Sequence, residues 1–154
     1  MTTTEPPHPR RCLVDTNVIL RLSQPPNVAP KFHRAVRNLQ ARAVPLYVSF
    51  QNIAEYWNVS TRPTVNNAQE LPPAQVRKNL QIIEADFEII TEDRETYERW
   101  LQLVVDFKVV DRQVHDARLV AHMLVRGIPA LLTSNTKDFT RYPQIQLLDP
   151  EQVA

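Results

Sequence analysis

The stretch Cys12-Leu13-Val14-Asp15-Thr16-Asn17-Val18-Ile19-Leu20 decides how this chain is read. Three apolar residues run into an aspartate, a threonine and an asparagine follow, and a second apolar run begins. A short continuous apolar run is the pattern of a strand buried on both faces, as in a parallel sheet covered by helices. The strand predicted over 11–14 ends where Asp15 begins. Open α/β sheets bind ligands outside the carboxyl ends of their strands, so Asp15 falls where such folds do their chemistry. An aspartate in this place is also an N-cap for the helix that follows. Its role turns on whether other acids reach the same end of the sheet.

Working outward, 154 residues with 43% hydrophobic and 23% charged side chains describe one globular domain with a real core. A formal net charge of +1 gives no global basic field for nucleic acid and leaves room only for a local patch. The single cysteine, Cys12, lies in the predicted strand, has no internal disulfide partner and reads as a small buried hydrophobe. No run approaches the length of a membrane span, and Met1 to Arg10, polar and proline-rich, lacks the apolar core of a secretory signal. The expected setting is reducing and cytoplasmic, with no membrane partner. Gly127 is the one glycine. A dinucleotide-binding fingerprint needs three and a phosphate-binding loop two, so both devices are excluded.

The remaining elements follow from punctuation and periodicity. Residues 1–10 are expected to be a flexible tail and residues 11–150 one domain. After Asp15 an apolar helical stretch reaches Leu22, and Pro25-Pro26 ends it. Pro30 opens a helix whose Phe32, Ala35, Val36 and Leu39 share one face. Its Lys31, Arg34 and Arg37, with Arg42 beyond, read as a solvated surface or an RNA-contacting patch. Leu46-Tyr47-Val48 form strand two, and Ser49 caps the next helix. There Ile53 and Trp57 share the apolar face, while Gln51, Asn52, Glu55 and Asn58 share another. A polar connection containing Asn66-Asn67 leads to Pro72-Pro73 and a helix facing Val76, Leu80 and Ile83 inward. Phe87 to Ile90 read as a strand. A helix over 93–107 is expected to turn Tyr97, Trp100, Leu101 and Val104 inward. Another opens at Val114-His115-Asp116-Ala117 and ends at Arg126, with Gly127 as its cap. Ala130 to Thr133 and Ile145 to Leu148 are the last strands, separated by a helical turn over 136–142. Strands alternating with helices imply a parallel sheet in one α/β domain.

Three acids share an address. Asp15 ends strand one, Glu55 lies on the helix after strand two, and Asp116 opens the helix before strand four. Asp116 also suits a helix dipole, its bland explanation. Carboxylates brought together repel unless a cation is present. An all-oxygen donor set suits Mg²⁺ or Mn²⁺ rather than zinc, and no two histidines stand at zinc-binding spacing. Such a cation engages phosphate oxygens and lowers the pKa of an attacking water, which is the logic of phosphodiester hydrolysis.

These residues resemble those of the PIN-domain nucleases, and within them the VapC-like toxins of prokaryotic toxin–antitoxin pairs. The resemblance runs from about Cys12 to Leu148. It is carried by Leu13-Val14-Asp15-Thr16-Asn17-Val18, Asn52-Ile53-Ala54-Glu55-Tyr56-Trp57, His115-Asp116-Ala117 through Val120-Ala121, and Leu132-Thr133-Ser134-Asn135-Thr136-Lys137-Asp138-Phe139. It implies an α/β/α sandwich with a five-strand parallel sheet of order 3-2-1-4-5. It also implies a Mg²⁺- or Mn²⁺-dependent endoribonuclease acting on RNA. Asp15, Glu55 and Asp116 match the family's acidic metal-binding residues. Thr133 matches a supporting hydroxyl, and Asn17 a polar residue that holds Asp15. Likeness to the toxins implies an antitoxin partner and a homodimer. One departure is Asn135, where many members carry a fourth acid. An amide offers a carbonyl oxygen but no charge, so Asn135 is at most a weak ligand. Asp138 substitutes for it or caps the Phe139 turn.

Other residues carry plainer readings. His115 adjoins Asp116, His122 reads as a core-edge or surface histidine, and Trp57 and Trp100 read as core anchors rather than base-stacking platforms. Arg62 reaches phosphate only if its helix continues past it, which Pro63 opposes. Two alternatives stand beside the nuclease. One is a catalytically weak or inactive RNA- or protein-binding module, motivated by Asn135. The other is a phosphatase using Asp15 as nucleophile, whose usual second aspartate is here Asn17.

Overall fold

In the computed structural model, which describes residues 8–64 and 69–153, β1 (Cys12–Val14) is the central strand of a five-stranded sheet. Most of the tail expected over 1–10, and the Asn66-Asn67 connection, lie outside the described residues. Within that tail Pro9 is buried. The other strands are β2 (Leu46–Ser49), β3 (Glu88–Ile90), β4 (Ala130–Leu132) and β5 (Gln146–Leu148). Their order is β3-β2-β1-β4-β5 and every pairing is parallel, as expected. The chain moves outward from β1 to β3, then crosses to β4 on the other side of β1. The order therefore reverses between β1 and β4, the switch point where open α/β sheets form their crevice.

Strand residues alternate between two cores because successive side chains point to opposite faces. Cys12 and Val14 enter one core and Leu13 the other; Ala130 and Leu132 separate from Leu131 in the same way. The first core is closed by α1 (Thr16–Leu22), α2 (Pro30–Ala41), α3 (Phe50–Thr61) and α4 (Pro73–Asp86). The second is closed by α5 (Arg94–Asp106) and α6 (Gln113–Arg126), with Phe139 and Tyr142. This is the expected α/β/α sandwich. Cys12 is fully buried, and burial pushes its thiol up to about 12, which makes it inert. Among the described residues no helix is long and apolar enough to cross a membrane.

Two helix faces differ from expectation. On α3 the buried stripe is Asn52, Tyr56 and Ser60, spaced by four, while Ile53 and Trp57 flank it half-buried. Its polar ends hide this stripe from a hydrophobicity count. On α5 the inward residues are Thr96, Trp100, Leu103, Val104 and Phe107, so Trp100 and Val104 face inward as expected, whereas Tyr97 and Leu101 are 55% and 44% exposed. The helix carries more apolar residues than it can bury, because it packs chiefly on α6 rather than flat on the sheet. Trp100 is thus only partly a core anchor. His122 is a core residue, 1% exposed, with Nε2 at 3.1 Å from the Thr91 carbonyl. The basic residues of α2 do lie on the surface, with Arg34 and Arg37 exposed and Lys31 paired with Glu151 at 2.8 Å.

Candidate active site

Asp15 follows β1 directly and its backbone still belongs to the sheet, since its N–H donates to the Leu132 carbonyl at 3.0 Å. It is also the N-cap of α1, accepting from Thr16 N at 2.8 Å. The capping role therefore holds without displacing the other. Oδ2 accepts from Thr133 Oγ1 at 2.8 Å and from Asn17 Nδ2 at 3.1 Å. Oδ1 accepts a longer bond, 3.4 Å, from Asn52 Nδ2. Thr133 comes from the end of β4, so the bond to Asp15 joins the two strands that flank the switch point. Asn17 also braces the β4 loop, because its Oδ1 accepts from Ser134 N at 3.0 Å. The side chain expected to hold Asp15 does so. An amide donor stands where the phosphatase reading needs an acid.

Asn52 and Thr16 were not singled out by the sequence, yet they assemble the cleft. Asn52 and Ser49 form a reciprocal cap at the start of α3, with Ser49 N and Oγ donating to Asn52 Oδ1 at 3.1 and 2.8 Å. That leaves Asn52 Nδ2 to donate to Thr16 Oγ1 at 3.1 Å. Thr16 Oγ1 in turn donates to Glu55 Oε2 at 2.8 Å. Glu55, exposed on α3, is aimed back at β1 by this chain of bonds. Gln51 continues the link across the cleft, with Nε2 donating to Glu55 Oε1 at 3.3 Å and to the His115 carbonyl at 3.0 Å. The sequence placed Asn52 on the face of Glu55, and its spacing of three from Ser49 is the pattern of the cap seen here.

The electrostatics show what these acids lack. Asp15 is 8% exposed and hydrogen-bonded only by neutral donors, and its carboxyl is raised, by burial first and by the Glu55 charge as well. Asp116 is raised from 3.8 to about 6. Burial is the main cause, followed by the charges of Asp138, Asp15 and Glu55. Its place in the first turn of α6 is favourable for a negative charge, and is outweighed. None of Asp15, Glu55 and Asp116 forms an ion pair among the described residues. Negative charge is gathered here with no salt bridge to any of the three acids among the described residues, and Arg118, which feels the Glu55 charge, is itself paired with Glu92.

The gathering is loose. Among the described residues no three His, Cys, Asp or Glu side chains are close enough together to hold one ion. Mg²⁺ does not require such a cage: it retains water and binds through one or two carboxylates plus a substrate phosphate. A hard, all-oxygen, uncompensated donor set fits it. Asn135 is exposed, and its backbone N–H donates to Thr133 Oγ1 at 3.0 Å. Asp138, in the 3-10 turn Thr136–Phe139, is the acid whose charge weighs most on Asp116. Arg62 is the C-cap of α3, which ends at Thr61 ahead of Pro63.

The family model described as "PIN domain" matches residues 12–145. No curated protein matches the chain. Several solved structures share the fold. VapBC2 from Rickettsia felis, bound to a DNA fragment from its promoter, is 18% identical with a TM-score of 0.70, over 90% of this chain and 98% of that one. VapBC-1 from nontypeable Haemophilus influenzae is 16% identical with a TM-score of 0.69, over 92% and 99%. VapC20 of Mycobacterium tuberculosis, a sarcin-ricin loop cleaving toxin, is 14% identical with a TM-score of 0.57, over 84% and 95%.

Proposed function

The chain belongs to the PIN domain family, and from that premise we propose that it is a divalent-cation-dependent endoribonuclease, the toxin of a toxin–antitoxin pair acting on RNA in the cytoplasm. The observation that carries this reading is the uncompensated acidic site at the sheet's switch point, with Asp15 and Asp116 both raised. Asp15 and Asp116, with Glu55 beside them and Asn135 as a weak further ligand, would hold Mg²⁺ or Mn²⁺. When bound, the cation supplies charge neutralisation at the phosphate and a more acidic attacking water.

The chain's own residues prepare that site. Thr133 and Asn17 fix the Asp15 carboxylate by donating to its Oδ2, and Thr16 positions Glu55. Asp116 must shed its proton before it can attract a cation, and its raised value places that event near pH 6. The toxin assignment is supported by the fold shared with VapBC structures, and it brings with it an antitoxin partner and a homodimer.

A second reading is a binding module that keeps the fold without cleavage. Asn135 in place of an acid, and the spread of the three carboxylates, favour it. One experiment separates the two. Purified native protein and Asp116→Asn are incubated with structured RNA in Mg²⁺, Mn²⁺ or EDTA. Cation-dependent cutting that the substitution abolishes supports the nuclease. RNA binding with no cutting under any cation supports the module.

A further inference from the structure

Beside the acidic cleft lies a second one, of about 290 Å³, lined by Glu92, Tyr97, Trp100, His115 and Arg118 among others. That is at the small end of ligand clefts. We propose that this cleft seats one unpaired nucleobase of the RNA, stacked on the shelf formed by Tyr97 and Trp100. The inference rests on the ribonuclease reading and names where its substrate is gripped.

The shelf is aromatic and prearranged. The rings of Tyr97 and Trp100 stand 6.4 Å apart at 30° to one another. Trp100 is fixed because its Nε1 donates to the Val114 carbonyl at 2.9 Å, and the Tyr97 ring beside it is more than half exposed. Sequence-tolerant binding of single strands uses aromatic faces of this kind, because every base has a π-face.

The polar groups favour a base over a phosphate. Arg118 is the cleft's strong cation, and Glu92 engages it at two points, Nε to Oε1 at 2.7 Å and Nη2 to Oε2 at 3.0 Å. Its charge is answered, so it offers little to an anion. Its guanidinium is held flat and still, suited to stacking or to a base edge.

Position supplies the rest. Val114, His115 and Arg118 line this cleft, and Asp116 follows His115 on the same helix with its side chain turned about 100° from that of His115. The Glu55 charge is felt at Arg118, and Gln51 joins Glu55 to the His115 backbone. A strand whose phosphate approaches Asp116 carries a neighbouring base past this shelf.

The test uses Asp116→Asn protein in Mg²⁺, so that RNA stays intact, with a fluorescent mixed-sequence single-stranded oligoribonucleotide and variants abasic at one position each. Tyr97→Leu in that background keeps apolar bulk and removes the ring at an exposed site. Expected are about tenfold weaker binding for Tyr97→Leu and near-native binding for Tyr97→Phe. One abasic position should lower affinity for the Tyr97 protein and have no effect on Tyr97→Leu. Equal affinities and equal abasic profiles overturn the proposal while native cleavage stands. Loss of a dimer in Tyr97→Leu by sedimentation, with RNA affinity per subunit unchanged, overturns it in favour of contact between copies through Tyr97, Leu101 and Val105. Native protein that neither binds nor cuts RNA overturns the ribonuclease reading and this inference with it.

Discussion

Thr16 Oγ1 donates to Glu55 Oε2 at 2.8 Å and accepts from Asn52 Nδ2 at 3.1 Å. One hydroxyl thus joins the end of β1 to the helix after β2 and sets where an otherwise exposed carboxylate points. Thr16→Val keeps the shape and removes the bond. It should cost about 1–2 kcal/mol by denaturant unfolding, since a buried amide of Asn52 also loses its acceptor. RNA cleavage should fall about tenfold, and Thr16→Ser should restore both.

Asp116 bears a charge that the fold disfavours. Between 3.8 and about 6 the folded state holds its proton more tightly than the unfolded state does. Stability is therefore lost as pH rises through that window. Asp116→Asn should remove this dependence and stabilise the protein by about 1 kcal/mol at neutral pH, a figure discounted for solvent at a half-buried group. Thermal unfolding of both proteins across pH checks it. The same variant should be inactive, a trade of stability for function.

Cleavage at limiting cation should rise as pH increases through about 6, as Asp116 ionises. Asp138 is the acid that most opposes this ionisation. Asp138→Asn should move the inflection to lower pH, measured as kcat/KM against pH. An unmoved inflection would assign the titration to another group.

Asn135→Asp adds a carboxylate beside the Thr133 hydroxyl that receives its backbone N–H. More ligand charge raises divalent-cation affinity. Calorimetric titration with Mn²⁺ should show about five- to tenfold tighter binding than in the native protein.

Gly127 ends α6 with φ at 67°, and a Cβ added there meets nothing within 4 Å. The cost of Gly127→Ala is then purely conformational, about 1 kcal/mol in denaturant unfolding.

Most of the architecture was legible in the sequence, because each buried strand announced itself as a short apolar run between polar stops. Cys12 to Val14 and Ala130 to Leu132 are fully buried on both sides, which leaves no alternation to misread. Helices were legible in position but less so in rotation. The α3 stripe runs through Asn52 and Ser60, and the α5 line starts at Thr96. A hydrophobicity pattern cannot see a polar residue that is buried because its hydrogen bonds are satisfied.

The sequence by itself determined the parallel α/β class, the placing of Asp15 at a strand end and the stop at Gly127, and it supplied Asp15, Glu55 and Asp116 as candidate acids. These are local: they depend on periodicity, on capping chemistry and on residue type. Only the tertiary structure decided that Thr133, 118 positions away, donates to Asp15. It also decided that Thr16 and Asn52 aim Glu55, that Asp138 presses on Asp116, and that Tyr97 faces solvent beside Trp100. The Thr133 and Asp138 relations exist only once the chain has crossed from β3 to β4, because that crossing brings the ends of β1 and β4 together, while the aiming of Glu55 needs the pairing of β1 with β2.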